Sequence, residues 1–191
     1  MPFDSGFEKM DNMPVIALGG IKHTGKSTVG KIVSQRLALP FHDLDDLILK
    51  DLPPRWSIRK WYREKGEQEF RNKESVALAQ YLKEEDQKGM RILALGGATL
   101  ENPQALNLLK GSDTEIYILD EEVEILYHRI IKRGIPPFLD PLNPEESFRK
   151  MYTTRKQTLL NQGDYIINIH GMDQTNAAEH LIRLIRSKYG R

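Results

Sequence analysis

The nine residues GIKHTGKST, from Gly20 to Thr28, decide how the rest of the chain is read. They satisfy G-x-x-x-x-G-K-[ST], in which a glycine-rich turn, a lysine and a hydroxyl hold a phosphate chain and its magnesium ion. Gly20 and Gly25 permit backbone angles that turn successive N–H groups toward one centre, and a helix opening near Lys26 adds the positive end of its dipole. The residues facing a phosphate chain are then Lys22, His23, Thr24, Gly25, Lys26, Ser27 and Thr28. Lys26 is expected to reach the phosphate that moves, and Ser27 to ligate Mg2+ carried by a nucleotide such as ATP. His23 has two readings, a donor to a phosphate oxygen or a solvated loop residue.

The flanks turn this pattern into a structural unit. PVIALGG precedes it, a short apolar run ending in glycines that reads as a buried parallel strand. After it, Val29, Ile32, Val33 and Leu37 recur at helical spacing. FHDLD, RILALGG, TEIYILD and DYIINIHG read as four further strands. The charged segment 57–89 holds two helical stretches, and amphipathic stretches follow at Pro103 to Lys110, Glu121 to Arg133, Pro144 to Leu160 and Gln174 to Lys188. Strands alternating with helices predict an α/β fold in three layers, a parallel sheet covered on both faces. RGIPPFLDPLNP, residues 133–144, has four prolines in twelve residues and reads as a long loop of the kind that forms lids.

Composition narrows the class. The 191 residues predict a single domain over 1–191, with 1–13 loose and a lid at about 134–146. Lys and Arg number 28 against 27 Asp and Glu, so no whole-molecule charge draws nucleic acid or an anionic membrane, and any anion site is local. There are no cysteines, which removes disulfides and thiolate metal sites and is compatible with a reducing cytoplasm. No apolar stretch approaches a membrane span, and the first residues do not read as a secretory signal. The expectation is a cytoplasmic monomer with neither nucleic acid nor membrane as partner.

The acceptor side is read from FHDLDD. Alternate strand residues share a face, so Asp43 and Asp45 are expected to project together from the carboxyl end of the second strand, where open α/β sheets bind ligands. One would lie near magnesium and the other on an acceptor hydroxyl. The alternative, a solvated helix cap, suits Asp46 better.

At this point several motifs, in order, resemble the shikimate kinase family: SIRKWYREKGEQEFR after the D-x-D strand, LALGGAT at the end of the third strand, and TTRKQTLLNQGDYIINI near the end. The resemblance runs from about Val15 to His170. It implies a P-loop kinase of the nucleoside monophosphate kinase type, with a five-stranded parallel sheet in the order 2-3-1-4-5, that uses ATP and Mg2+ to phosphorylate the 3-hydroxyl of shikimate. Carried over, Asp45 holds the acceptor hydroxyls and Asp43 lies near magnesium. Arg71 and Arg155 grip the carboxylate, Gly96 and Gly97 bring backbone N–H to it, and Arg129 sits near the nucleotide at the base of the lid. Planar arginine forks suit a small carboxylate on physical grounds as well. Trp56 and Tyr62 are expected to pack, and Trp61 either to pack or to face the pocket.

The chain departs from the family in two places, at Ala98 and Pro136, and its phosphate loop is unusual at His23. His23 stands where many small kinases of this class have glycine, Ala98 where the family has a third glycine, and Pro136 where it has a lid arginine. Arg133 or Lys132 is then the cation that could take the missing place. Two alternatives stay open: a kinase of another small hydroxy acid such as gluconate, and a nucleotide-binding protein with weak or no turnover.

Overall fold

The computed structural model describes residues 14–83, 89–132, 134–136 and 139–190. The expected looseness of 1–13, the predicted role of Arg133, and part of the lid lie outside the described residues. Five strands, β1 (Val15–Gly19), β2 (Phe41–Asp43), β3 (Arg91–Ala94), β4 (Thr114–Asp120) and β5 (Tyr165–Asn168), form one parallel sheet in the order β2-β3-β1-β4-β5. Among the described residues seven α-helices flank or link them: α1 (Lys26–Leu37), α2 (Leu44–Lys50), α3 (Ile58–Lys83), α4 (Pro103–Lys110), α5 (Val123–Ile131), α6 (Pro144–Gln162) and α7 (Gln174–Tyr189).

The two-residue period of the strands builds two cores. Ile16 and Leu18 of β1 point to the face covered by α1 and α7, where Val29, Val33, Ala178 and Leu181 lie buried. Val15 and Ala17 point to the other face, against Leu78, Tyr81, Leu109 and Phe148 from α3, α4 and α6. All five residues of β1 are buried, as expected for a central parallel strand. Among the described residues no helix is long and apolar enough to cross a membrane.

Local chemistry explains where elements break. α3 is two helices joined at Gly66, whose φ of 83° and ψ of 174° are open essentially to glycine alone. This matches the two helical stretches read from the sequence. The second strand is shorter than expected. It stops at Asp43, whose side chain accepts from Asp45 N at 3.0 Å and caps α2, so Asp45 lies in the first turn of a helix rather than on a strand, and the cap is Asp43 and not Asp46. The carboxylate thus ends β2 by satisfying a donor that no ladder could reach. The helix read as Glu121 to Arg133 begins two residues later, at Val123.

Candidate active site

The phosphate loop leaves the carboxyl end of β1 and returns as α1, next to the β3 turn, as the sheet order requires. Gly20 and Gly25 have φ of 146° and 95°, in the region that favours glycine, and a Cβ on Gly20 would lie 2.9 Å from Thr24 Oγ1 and from Leu119 O. Thr24 is buried and donates to Ile21 O at 2.9 Å, which fixes the turn. His23 also has a positive φ, 71°, so the glycine common at this place is avoided at the expense of a strained backbone.

Lys26 is buried and donates to Gly20 O at 2.8 Å. Burial pulls its pKa from 10.5 down to about 8, against the attraction of Asp45 and Asp43, which favours the charged form. Ser27 Oγ donates to Asp43 Oδ2 at 2.5 Å, so the two residues read as magnesium ligands stand together, one from α1 and one from β2. Among the described residues no cluster of three or more His, Asp or Glu could hold a metal alone. A hydroxyl and one carboxylate fit Mg2+, which keeps waters and shares phosphate oxygens with its substrate. The glycine cradle and the buried lysine fit a phosphate chain equally well.

Lys22, His23, Gly25, Lys26, Ser27 and Thr28 line a cleft of about 410 Å3 whose far wall carries Asp43, Asp45, Gly96, Gly97, Ala98 and Arg155. Residues distant in sequence, on donor and acceptor sides, therefore share one space. Asp45 is accessible to solvent, but it stands inside the cleft, where protein replaces much of its hydration. That loss, and next the Asp43 carboxylate, pushes its pKa upward against the pull of Lys26 and Lys22. Gly96 is needed for close approach, since a Cβ there would sit 2.9 Å from Thr99 Oγ1 and 3.2 Å from Glu74 Oε1. Ala98 has a φ of −127°, a conformation any residue adopts, so the methyl that replaces the family's glycine costs nothing in the backbone.

The two arginines differ in position. Arg155 lines the cleft, with Nε 2.9 Å from Glu101 Oε1. Arg71 stands beside it on α3, donating to Glu67 Oε1 and to Glu101 O, each at 2.9 Å. Arg129 spans His23 O at 3.2 Å and the buried Glu121 at 3.0 Å, tying α5 to the back of the phosphate loop. Lys132 is exposed and does not line the cleft.

Sequence reasoning missed four contributors. Glu74 lines the cleft and is buried, accepting from Thr99 Oγ1 at 2.6 Å and Asn102 Nδ2 at 3.0 Å; burial raises its pKa and these bonds oppose the rise. Glu74 stands three residues after Arg71, hence on the same helical face, which was a usable signal. Glu101 and the apolar pair Ile58 and Phe70 are the others. Among the aromatics, Trp56 and Trp61 pack edge to face at 5.7 Å, away from the cleft lining. Tyr62 packs edge to face on Phe70, a cleft residue, also at 5.7 Å.

A glycine cradle with buried lysine, a hydroxyl–carboxylate pair and a facing acceptor wall at the end of a 2-3-1-4-5 sheet define a P-loop small-molecule kinase. The family model described as shikimate kinase matches residues 22–186, and the chain belongs to the shikimate kinase family. A shikimate kinase of Chlamydia pneumoniae is 29% identical over 180 residues, covering 90% of this chain and 99% of its own. The structure of a shikimate kinase from Acinetobacter baumannii in complex with shikimate superposes with a TM-score of 0.80 at 25% identity, covering 95% of this chain and 97% of that one. A gluconokinase from Sinorhizobium meliloti, at 16% identity, a TM-score of 0.53 and coverage of 93% and 97%, shares the fold alone.

Proposed function

We propose that the protein transfers a phosphoryl group from ATP to a hydroxyl of shikimate, giving 3-phosphoshikimate. The observation that carries this reading is the single cleft in which the phosphate loop faces Asp45, the Gly96–Gly97 turn and Arg155. Bound ATP would supply the phosphoryl group, and Mg2+ would neutralise charge on its oxygens. Lys26 holds the phosphate end of the nucleotide, and Ser27 with Asp43 offers the oxygens for the ion. Arg129 braces the loop beneath them through His23 O.

On the acceptor side Asp45 receives the hydroxyl. Its raised pKa makes it a better proton acceptor than an ordinary aspartate, although orientation carries the larger share when the transition state is loose. Arg155 on the cleft wall and Arg71 beside it offer cationic forks to the acid's carboxylate, and the Gly96–Gly97 turn offers backbone N–H. Ile58 and Phe70 supply the apolar surface a cyclohexene ring requires. The lid read from the sequence would close the site against water, and Leu139, buried in the core, anchors its described part.

The identity and coverage of the named shikimate kinases favour this acceptor over gluconate, whose kinase shares only the fold. The experiment is a coupled ADP-release assay with ATP and Mg2+ and a panel containing shikimate, gluconate and quinate. Shikimate-dependent release well above the acid-free rate is expected. Turnover of gluconate in preference to shikimate overturns the acceptor, and nucleotide binding without turnover of any acid overturns the kinase.

A further inference from the structure

The basic groups around the cleft are, with one exception among the described residues, already engaged. Lys26 is bonded to Gly20 O, Arg129 to His23 O and Glu121, Arg71 to Glu67 and Glu101 O, and Arg155 to the Glu101 carboxylate. Lys22 is the exception. It lines the cleft, it is exposed, and it makes no hydrogen bond or ion pair with a described residue.

Its place is specific. A Cβ built on Gly97 would lie 3.4 Å from both the backbone nitrogen and the Cβ of Lys22, so Lys22 stands where the phosphate loop meets the acceptor turn. Its charge acts on Lys26 from one side and on Asp45 from the other. A flexible four-carbon stem rooted there can bring an ammonium over the gap between donor and acceptor. Phosphoryl transfer spreads negative charge over the oxygens of the moving group. A cation with no hydrogen-bond or ion-pair partner among the described residues meets that charge without first giving up a contact with any of them.

We propose that Lys22 is a further catalytic residue, whose ammonium contacts the phosphoryl group in transit between the nucleotide and the acceptor. The proposal deepens the phosphoryl-transfer reading and rests on it. Lys22 thereby does the work for which the sequence offers no arginine at Pro136.

The test uses the full chain and its lack of cysteine. K22M is expected to lose on the order of 10²-fold in kcat, with KM for ATP and for shikimate within about threefold of wild type. K22C should behave as K22M does, and alkylation of its one thiol with 2-bromoethylamine, which rebuilds a lysine-like ammonium, should restore most of the rate. A second readout needs no turnover: affinity for ADP with Mg2+ and fluoroaluminate, a mimic of the phosphoryl in transit, should fall in K22M by a similar factor while affinity for ADP alone holds. Unchanged kcat and fluoroaluminate affinity make Lys22 a solvated surface lysine and overturn the proposal. A loss confined to KM for ATP, or shared by ADP alone, makes it an ordinary nucleotide ligand and overturns it equally. If wild type fails to turn over shikimate, the acceptor reading falls instead, and the fluoroaluminate comparison still decides the role of Lys22.

Discussion

Binding of a phosphate chain should draw a proton onto Lys26, and the amount follows from its burial. With a pKa of about 8 in the free protein, Lys26 is mostly charged at pH 7 and mostly neutral at pH 9. A bound polyphosphate holds it charged at both. The free protein then carries roughly 0.9 of a proton on this group at pH 7 and roughly 0.1 at pH 9, so binding takes up about 0.1 and about 0.9. Affinity for ATP should accordingly fall about tenfold between pH 7 and pH 9, or about 1.4 kcal/mol. Titration calorimetry in two buffers of different ionisation enthalpy measures the uptake directly. In K26R the slope should vanish, because arginine does not titrate in this range. The same shift has a stability consequence of fixed sign. The folded pKa is lowered, so between about 8 and 10.5 the unfolded chain binds more protons and stability rises with pH. Below about 8 the charged lysine is buried at a penalty, and K26M should be inactive yet more stable than wild type at pH 7 by ~1–3 kcal/mol. Equal proton uptake at pH 7 and 9 in wild type, or release, refutes the reasoning.

If Asp45 acts on the acceptor as proposed, D45N should lower kcat by about 10²-fold or more while ATP affinity stays within a few-fold; steady-state kinetics beside nucleotide titration separates the two. H23V should destabilise by ~1–2 kcal/mol in denaturant unfolding, whereas H23G should stay within about 1 kcal/mol of wild type, since φ at this position is 71°. G66A should cost ~1–3 kcal/mol from the backbone alone, as nothing lies within 4 Å of the added methyl; an unchanged melting temperature counts against the break in α3. E101Q should change KM for shikimate while leaving KM for ATP alone, because Glu101 touches Arg155 and not the phosphate loop.

The sheet and its phosphate loop were legible because their signals are local. An apolar run, four specified loop positions and a helical repeat all fall between Val15 and Leu37. The carboxyl end of β2 was less legible, because Asp43 can extend a strand or cap a helix with equal ease, and the donor on Asp45 decided for the cap. Glu74 carried one signal, its place three residues after Arg71 on the same helical face, but on a helix as charged as α3 one more glutamate reads as solvated, and its burial shows in its contacts with Thr99 and Asn102. Glu101 could not be read at all. Its partner Arg155 lies on α6, and the two meet only when the turn after β3 packs beside that helix. The left-handed backbone at His23 was equally silent, since histidine gives no sign that the loop forces a conformation usually left to glycine.

The pairing of the cleft's cations ties the near-neutral charge of the chain to its chemistry. With 28 basic and 27 acidic side chains, attraction for two anions, nucleotide and acid, has to be created where it is needed. In the structure most cations in or beside the cleft have an internal partner that an arriving ligand would have to displace: the carbonyl of Gly20 for Lys26, Glu67 for Arg71, which stands beside the cleft, and Glu101 for Arg155. Each partner positions its cation and also weakens non-specific anion binding, because an arriving anion gains only the difference between itself and the contact it replaces. A phosphate chain clears that threshold at Lys26 with several backbone N–H groups besides. A carboxylate clears it at Arg155 only if the Gly96–Gly97 turn and the ring's apolar contacts contribute as well. On the proposed reading, acceptor selection in this cleft would rest on the sum of the turn, Ile58, Phe70 and Arg155, which together line it, rather than on a single arginine.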